Sequence, residues 1–241
     1  MDAATRNALD AVRSAAPAVH CITNSVAQNF TANVLLALGA QPSMTHDAGE
    51  VAEFVASSDA LLVNLGTLDD ARRRSIDIAI TSAENTGIPW VLDPVMIERS
   101  HKRAEAAAMY LLRKPALIRA NRREADLMAG GLDDEPLMNF ARAAGVLFAV
   151  TGPVDLVVSA DRIRRCERGS HLMNSVTAFG CALSAVIAAF LAVHDDSEGA
   201  VLAALEVVGE AGEAAALTAG GPGSFAITFI DRLAGIGREA P

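Results

Sequence analysis

The chain has 241 residues, 51% hydrophobic and 20% charged, enough apolar material to bury a large core without disulfide or metal staples. Twenty-nine acidic against 20 basic side chains give a net charge of −9, a negative field that disfavours sequence-independent binding to nucleic acid or anionic lipid. Three cysteines, Cys21, Cys166 and Cys181, are odd in number and widely spaced, so they suggest neither a disulfide framework nor a zinc site and point to the cytoplasm.

Residues 1–17 mix Asp2, Arg6, Asn7, Asp10 and Arg13 among alanines, which predicts an amphipathic opening helix rather than a secretion signal. Short apolar runs then recur at Ala60–Asn64, Trp90–Asp93, Leu117–Asn121 and Leu147–Thr151, each bounded by turn formers and separated by helical patterns. Near-continuous apolar strands in this rhythm predict a parallel sheet covered by helices on both faces. Between them, residues 69–86 begin with a polar turn, close at Gly87 and cannot continue past Pro89. Residues 122–129 stop at Gly130 and Gly131, and residues 136–144 stop at Gly145. Residues 156–166 form two short extended runs about Ala160–Asp161, a predicted hairpin. The remainder is helical: 181–193 is apolar but too short to span a membrane, and 198–219 carries Gly199, Gly209 and Gly212, expected to allow close helix contact. No linker or repeat divides the sequence, so residues 1–241 are expected to form a single domain.

The four strands end in Asn64, Asp93, Asn121 and Thr151. Each is also an ordinary turn or N-cap residue, but four on one sheet edge favour a binding crevice at the strands' carboxyl ends. Asp93 leaves its strand before Pro94, placing a carboxylate where it could hold a hydrated Mg²⁺. Glu124 is a second outer ligand, or simply an acid favourably placed at a helix N-terminus. Farther on, Val176-Thr177-Ala178-Phe179-Gly180-Cys181 opens into the apolar helix, with Cys181 in its first turn. Free amides there make an anion site and can lower a thiol's pKa, whereas the alternative is a buried structural cysteine. A cysteine hydrolase would need a histidine partner, and none of His20, His46, His101, His171 or His194 has an identifying spacing. Neither a G-x-G-x-x-G fingerprint nor a Walker A sequence is present.

His20-Cys21-Ile22-Thr23-Asn24-Ser25-Val26, then Leu38-Gly39-Ala40-Gln41-Pro42-Ser43-Met44, closely resembles the start of hydroxyethylthiazole kinases. Asn64-Leu65-Gly66-Thr67, Asp93-Pro94-Val95, Arg119 with Asn121 and Glu124, Val150-Thr151-Gly152, Gly180-Cys181 and Gly221-Pro222-Gly223-Ser224-Phe225 follow in family order over nearly the whole chain. The resemblance implies a ribokinase-like three-layer αβα fold, a homotrimer with sites at subunit interfaces, and a thiamine-salvage reaction. In that reaction ATP phosphorylates the hydroxyl of 4-methyl-5-(2-hydroxyethyl)thiazole. It further implies that Asn24, Val26, Met44 and Ala178 meet the thiazole, while Arg119, Asn121, Thr151 and Gly180 meet ATP. Asp93 and Glu124 would place Mg²⁺, and Cys181 stands at the catalytic position beside the substrate hydroxyl.

Four places depart from the family pattern, one of them the region around Gly130–Asp134, which looks shortened. The loop Thr177-Ala178-Phe179-Gly180-Cys181 stands where the family has Thr-Gly-Thr-Gly-Cys, Met96–Ser100 replaces a glycine-rich stretch, and Ala120 replaces a glycine. A Cβ at 178 and bulk at 179 are expected to obstruct the phosphate site. The alternative reading is therefore a weakened or inactive homologue that binds thiazole or nucleotide, or a kinase for another small alcohol.

Overall fold

The computed structural model describes residues 1–237, so the last four positions of the expected 1–241 domain lie outside the described residues. Among the described residues eight strands form one sheet: β1 (Ala18–Ile22), β2 (Gln41–Ser43), β3 (Ala60–Asn64), β4 (Trp90–Asp93), β5 (Leu117–Asn121), β6 (Leu147–Thr151), β7 (Asp155–Val158) and β8 (Ile163–Cys166). Their spatial order is β2-β1-β3-β4-β5-β6-β7-β8, parallel throughout except for the antiparallel β7 and β8. The four apolar runs and the hairpin stand where the sequence places them.

Alternation along the strands divides the core in two. Leu62, Val91, Leu117, Ala149 and Val157 face one layer, made by α1 (Ala3–Ala15), α2 (Gln28–Leu38), α8 (Phe179–Leu191), α9 (Ser197–Ala216) and α10 (Pro222–Gly235). Leu61, Val63, Leu92, Ile118, Phe148 and Val150 face the other, made by α3 (Val51–Ala56), α4 (Asp70–Thr86), α5 (His101–Leu111), α6 (Arg122–Ala129) and α7 (Asp134–Ala144). The result is the three-layer αβα sandwich expected from the sequence.

The termini of these helices follow local chemistry. The Asp69 carboxylate accepts Arg72 N–H at 2.7 Å to cap α4, and Gly87, Gly130 and Gly145 close α4, α6 and α7 in the left-handed region. Helix α8 is apolar on every side and correspondingly central, packed on β1, β3 and β4 and between α2 and α9. Among the described residues no helix is long and apolar enough to cross a membrane.

Several elements have no clear sequence signal. Strands β1 and β2 sit in a stretch rich in His20, Thr23, Asn24 and Gln41, and α2, α3, α5 and α10 carry weak or mixed patterns. The glycines of α9 also serve another partner. A Cβ on Gly209 would lie 2.4 Å from Arg168 Cβ and 2.9 Å from its carbonyl carbon, and one on Gly212 would lie 2.9 Å from Met173 Sδ. These two glycines seat residues 168–173 rather than a second helix, while Gly199 faces the Asp196 carboxylate that caps its own helix.

Candidate active site

Parallel register sets the strand ends side by side. Asn64 is paired with Asp93 and Asn121 with Thr151, so the four polar residues share one edge of the sheet. Above that edge lies a cleft of about 680 Å³. Asp93, Arg119, Asn121, Glu124, Thr151, Ala178, Gly180 and Cys181 all line it, with residues 167–176 forming the opposite wall. Eight of the eleven candidate positions thus converge on one space, contributed by β4, β5, α6, β6 and the start of α8.

Asp93 is the carboxylate at its floor and is 1% exposed. Its Oδ2 accepts Asn64 Nδ2–H at 2.7 Å and Ser184 O–H at 3.0 Å. Both of these bonds fall on Oδ2, leaving Oδ1 without one among the described residues, and Asp93 lines the cleft. Burial raises the carboxyl from 3.8 to about 6; the Arg119 guanidinium opposes that rise and the Glu124 carboxylate adds to it. Glu124 is differently used. One oxygen accepts Met96 N–H at 2.7 Å and the other Asn121 N–H at 2.8 Å, while Asn121 Oδ1 accepts Glu124 N–H at 3.0 Å. Asn121 and Glu124 therefore form a capping box on α6, and Glu124 ties that helix to the turn after β4.

In that turn Val95 and Met96 have φ of +36° and +56°, left-handed conformations, the second at the start of the stretch that departs from the family's glycine-rich pattern. Arg119 donates to the Thr151 hydroxyl and lies over the start of α8: a Cβ on Gly180 would be 2.5 Å from its Nη1. Its buried Nε has no hydrogen-bond partner, leaving a cationic donor unsatisfied at the cleft.

The α8 loop departs from expectation in two ways. Ala178 takes φ +70°, ψ 4°, the left-handed form a glycine would adopt freely, so the backbone path survives with a Cβ on it. Phe179 borders the cleft, but its ring is held in the core. It is buried against Phe229 at 4.7 Å, Phe30 at 6.0 Å and Phe225 at 6.3 Å, in the layer of α2 and α10. The first helical bond runs from Ala182 N–H to Ala178 C=O, leaving the Gly180 and Cys181 amides at the helix mouth.

Cys181 is a neutral thiol. Burial pushes it up to about 12 and the nearby Asp93 charge adds to this, outweighing amide donation from Asn64 and Asn24 and the pull of Arg119. Desolvation thus defeats the lowering expected from the helix N-terminus. Asn24 Nδ2 donates to its sulfur at 3.4 Å and to Asn64 Oδ1 at 3.1 Å; among the described residues no histidine is hydrogen-bonded to Cys181, so the pair a cysteine hydrolase needs is not formed.

The other thiazole candidates lie apart within one chain. Met44 lines a second cleft of about 560 Å³ with Thr45, His46 and Arg74, and Val26 is 63% exposed on the surface. Sequence reasoning missed Asp155. It lines the main cleft, accepts Gly152 N–H at 2.8 Å and is raised by burial to about 6, with Arg119 opposing. It stands at the start of β7, where a hairpin acid reads as a turn residue.

The donor set can be weighed against a magnesium ion. Among the described residues no three His, Cys, Asp or Glu side chains cluster as a metal cage. The free Asp93 oxygen suits an ion held otherwise by phosphate oxygens and water, and Glu124, with both oxygens already accepting amides, suits an outer place.

Comparison with known proteins agrees with this geometry. The sequence profile of the hydroxyethylthiazole kinase family matches residues 9–239. The chain is 44% identical to the hydroxyethylthiazole kinase of Cereibacter sphaeroides, covering 96% of this chain and 94% of that protein. It is 43% identical to that of Rhizobium etli, covering 96% of each. The solved hydroxyethylthiazole kinase structure from Pyrococcus horikoshii superposes with a TM-score of 0.91 at 37% identity, covering 96% of this chain and 93% of that one. A ribokinase-like protein from Enterococcus faecalis shares the fold at a TM-score of 0.70 and 12% identity. With its cleft at the carboxyl edge of a ribokinase-like sheet and these matches along nearly its full length, the chain belongs to the hydroxyethylthiazole kinase family.

Proposed function

We propose that this protein transfers the γ-phosphoryl group of ATP to the primary hydroxyl of 4-methyl-5-(2-hydroxyethyl)thiazole, acting as one kinase unit in the cytoplasm. The observation that carries the reading is the convergence of Asp93, Arg119, Thr151 and the open mouth of α8 on one cleft. Phosphoryl transfer asks little covalent chemistry of a protein; positioning and charge stabilisation supply most of the acceleration. Arg119, anchored on the Thr151 hydroxyl, presents cationic donors beside the Gly180 and Cys181 amides, so both can face equatorial phosphoryl oxygens.

Mg²⁺, when bound, neutralises phosphate charge, and Asp93 Oδ1 is the protein oxygen that would hold it, with Glu124 outside. Cys181 and Asn24 flank the acceptor hydroxyl. As a neutral thiol Cys181 orients rather than deprotonates it. The alcohol oxygen bonds to the γ-phosphorus as the bond to the ADP oxygen breaks. The hydroxyl proton leaves to water once the new bond has formed, which a loose transition state permits without a strong base. The Phe179 ring turned into the core and the retained backbone path at Ala178 favour an active site over a merely binding one.

Asn24, Val26, Met44 and Ala178 serve as the thiazole contacts. Met44 and Val26 lie outside the main cleft of their own chain, which supports a homotrimer whose sites are completed between subunits. The direct test is ADP release with the thiazole alcohol, ATP and Mg²⁺. Turnover that requires all three supports the reading. Folded protein that binds the alcohol or ATP by calorimetry yet forms no phosphate ester at high enzyme concentration overturns it in favour of a binding homologue.

A further inference from the structure

We propose that Asn64 is a positioning residue whose side-chain amide joins the acceptor side of the cleft to the Asp93 carboxylate, each end of the amide holding one of them. The proposal rests on the phosphotransferase reading above and deepens it. Asn64 is fully buried at the end of β3 and in register with Asp93. Its Oδ1 accepts Asn24 Nδ2–H at 3.1 Å and Gly66 N–H at 3.0 Å. Its Nδ2 donates to Asp93 Oδ2 at 2.7 Å, and the same amide faces the Cys181 sulfur.

A side-chain amide is both acceptor and donor, in fixed and different directions. A carboxylate would offer Asp93 a second negative oxygen, and an aliphatic chain would take one hydrogen-bond partner from each of Asn24, Gly66 and Asp93. Gly66 is shaped to this arrangement. A Cβ there would lie 2.8 Å from Asn24 Cβ and 2.9 Å from Asn64 Oδ1, so only glycine lets the two amides meet. Ser184 completes the fixation of Asp93 by donating to the same Oδ2 at 3.0 Å. With both donors on Oδ2, the carboxylate is turned so that Oδ1 is the atom at the cleft.

The two ends of the amide can be cut separately. Asn64→Asp keeps the acceptor toward Asn24 and Gly66 but removes the donor to Asp93. It is expected to lower kcat about 100-fold, the scale of a misplacement near 1 Å, while the calorimetric Kd of the thiazole alcohol, measured without nucleotide, stays within about threefold. Asn64→Ala cuts both ends and is expected to lower kcat similarly and weaken the alcohol Kd about tenfold. Melting curves establish folding. If Asn64→Asp does not fold, Ser184→Ala removes the other donor to Oδ2 and is expected to lower kcat about tenfold with the alcohol Kd unchanged.

Folded Asn64→Asp or Ser184→Ala with kcat near wild type, or an Asn64→Ala alcohol Kd equal to that of Asn64→Asp, overturns the proposal. Its failure is distinct from failure of the kinase reading. That reading falls if the wild type makes no phosphate ester, and the comparison of alcohol Kd between Asn64→Asp and Asn64→Ala still decides for or against the two-ended amide.

Discussion

A carboxylate on a dry floor is costly to keep ionised, and Asp93 shows that cost. Its folded-state value is raised from 3.8 to about 6, so the protonated form is favoured on folding. The folded protein therefore loses stability as pH rises from about 4 to 6, and the full penalty is present at pH 7. Asp93→Asn keeps an oxygen for Asn64 and Ser184 and removes the charge. At pH 7 it is expected to be more stable than wild type by up to about 3 kcal/mol in urea denaturation, with that advantage vanishing below pH 4, yet to lose phosphorylation at least 100-fold. In the wild type, MgATP affinity measured by calorimetry is expected to fall as pH drops below about 6, as Asp93 takes up its proton.

Ala178 presents the same conflict in the backbone. Held at φ +70° it carries left-handed strain that glycine does not, so Ala178→Gly is expected to stabilise by about 1 kcal/mol, or about 2–4 °C in Tm. Its kcat should change little, because the path of the loop is already the one glycine would take.

At the scale of the element, the start of α8 is fixed by an aromatic cluster rather than by a cap. No side chain caps Ala178, and the Phe179 ring between Phe30, Phe225 and Phe229 anchors the first turn to α2 and α10. Replacing Phe179 by the family's threonine, alone or with Ala178→Gly, opens a cavity. It is expected to cost about 3 kcal/mol in denaturant unfolding without raising kcat. Helix α9 positions the opposite wall. Gly209→Ala drives a methyl into Arg168 backbone and side chain, so residues 168–173 must shift; the expected result is a raised KM for ATP with little change in the thiazole KM.

Elements were legible where one signal dominated. The runs at β3 to β6 are apolar on both faces, and α4, α6 and α7 carry a cap or a closing glycine. Strands β1 and β2 were not, because His20 and Ser43 there are polar inside the sheet: His20 is fully buried and its Nδ1 lies 2.7 Å from Ser43 Oγ. Such pairing hides the period that betrays a strand.

Over the whole molecule, the −9 charge sits around a cleft that, on the proposed function, admits a polyanion. Arg119 and the amides at the α8 mouth meet it locally, so the net charge governs neither affinity nor fold. Sedimentation is expected to give a species of three 25.0 kDa chains, and dilution that produces monomer should cost thiazole affinity before ATP affinity, since Met44 and Val26 lie outside the main cleft. A monomer with full thiazole affinity would show that the site is complete within one chain.

The sequence by itself determined the layered αβα fold, the edge on which the site lies and the family, because apolar runs, closing glycines and short motifs are local and survive in one dimension. It also named the cleft residues at the strand ends and at the start of α8, but neither Asp155 nor the wall at 167–176. Only the tertiary structure decided what those residues do to one another. Desolvation overrides the helix end at Cys181, the Phe179 ring is held in an aromatic cluster, and Glu124 is engaged by two amides from different turns. Each outcome depends on which groups are brought within a few ångströms from distant parts of the chain, and no local pattern encodes that distance.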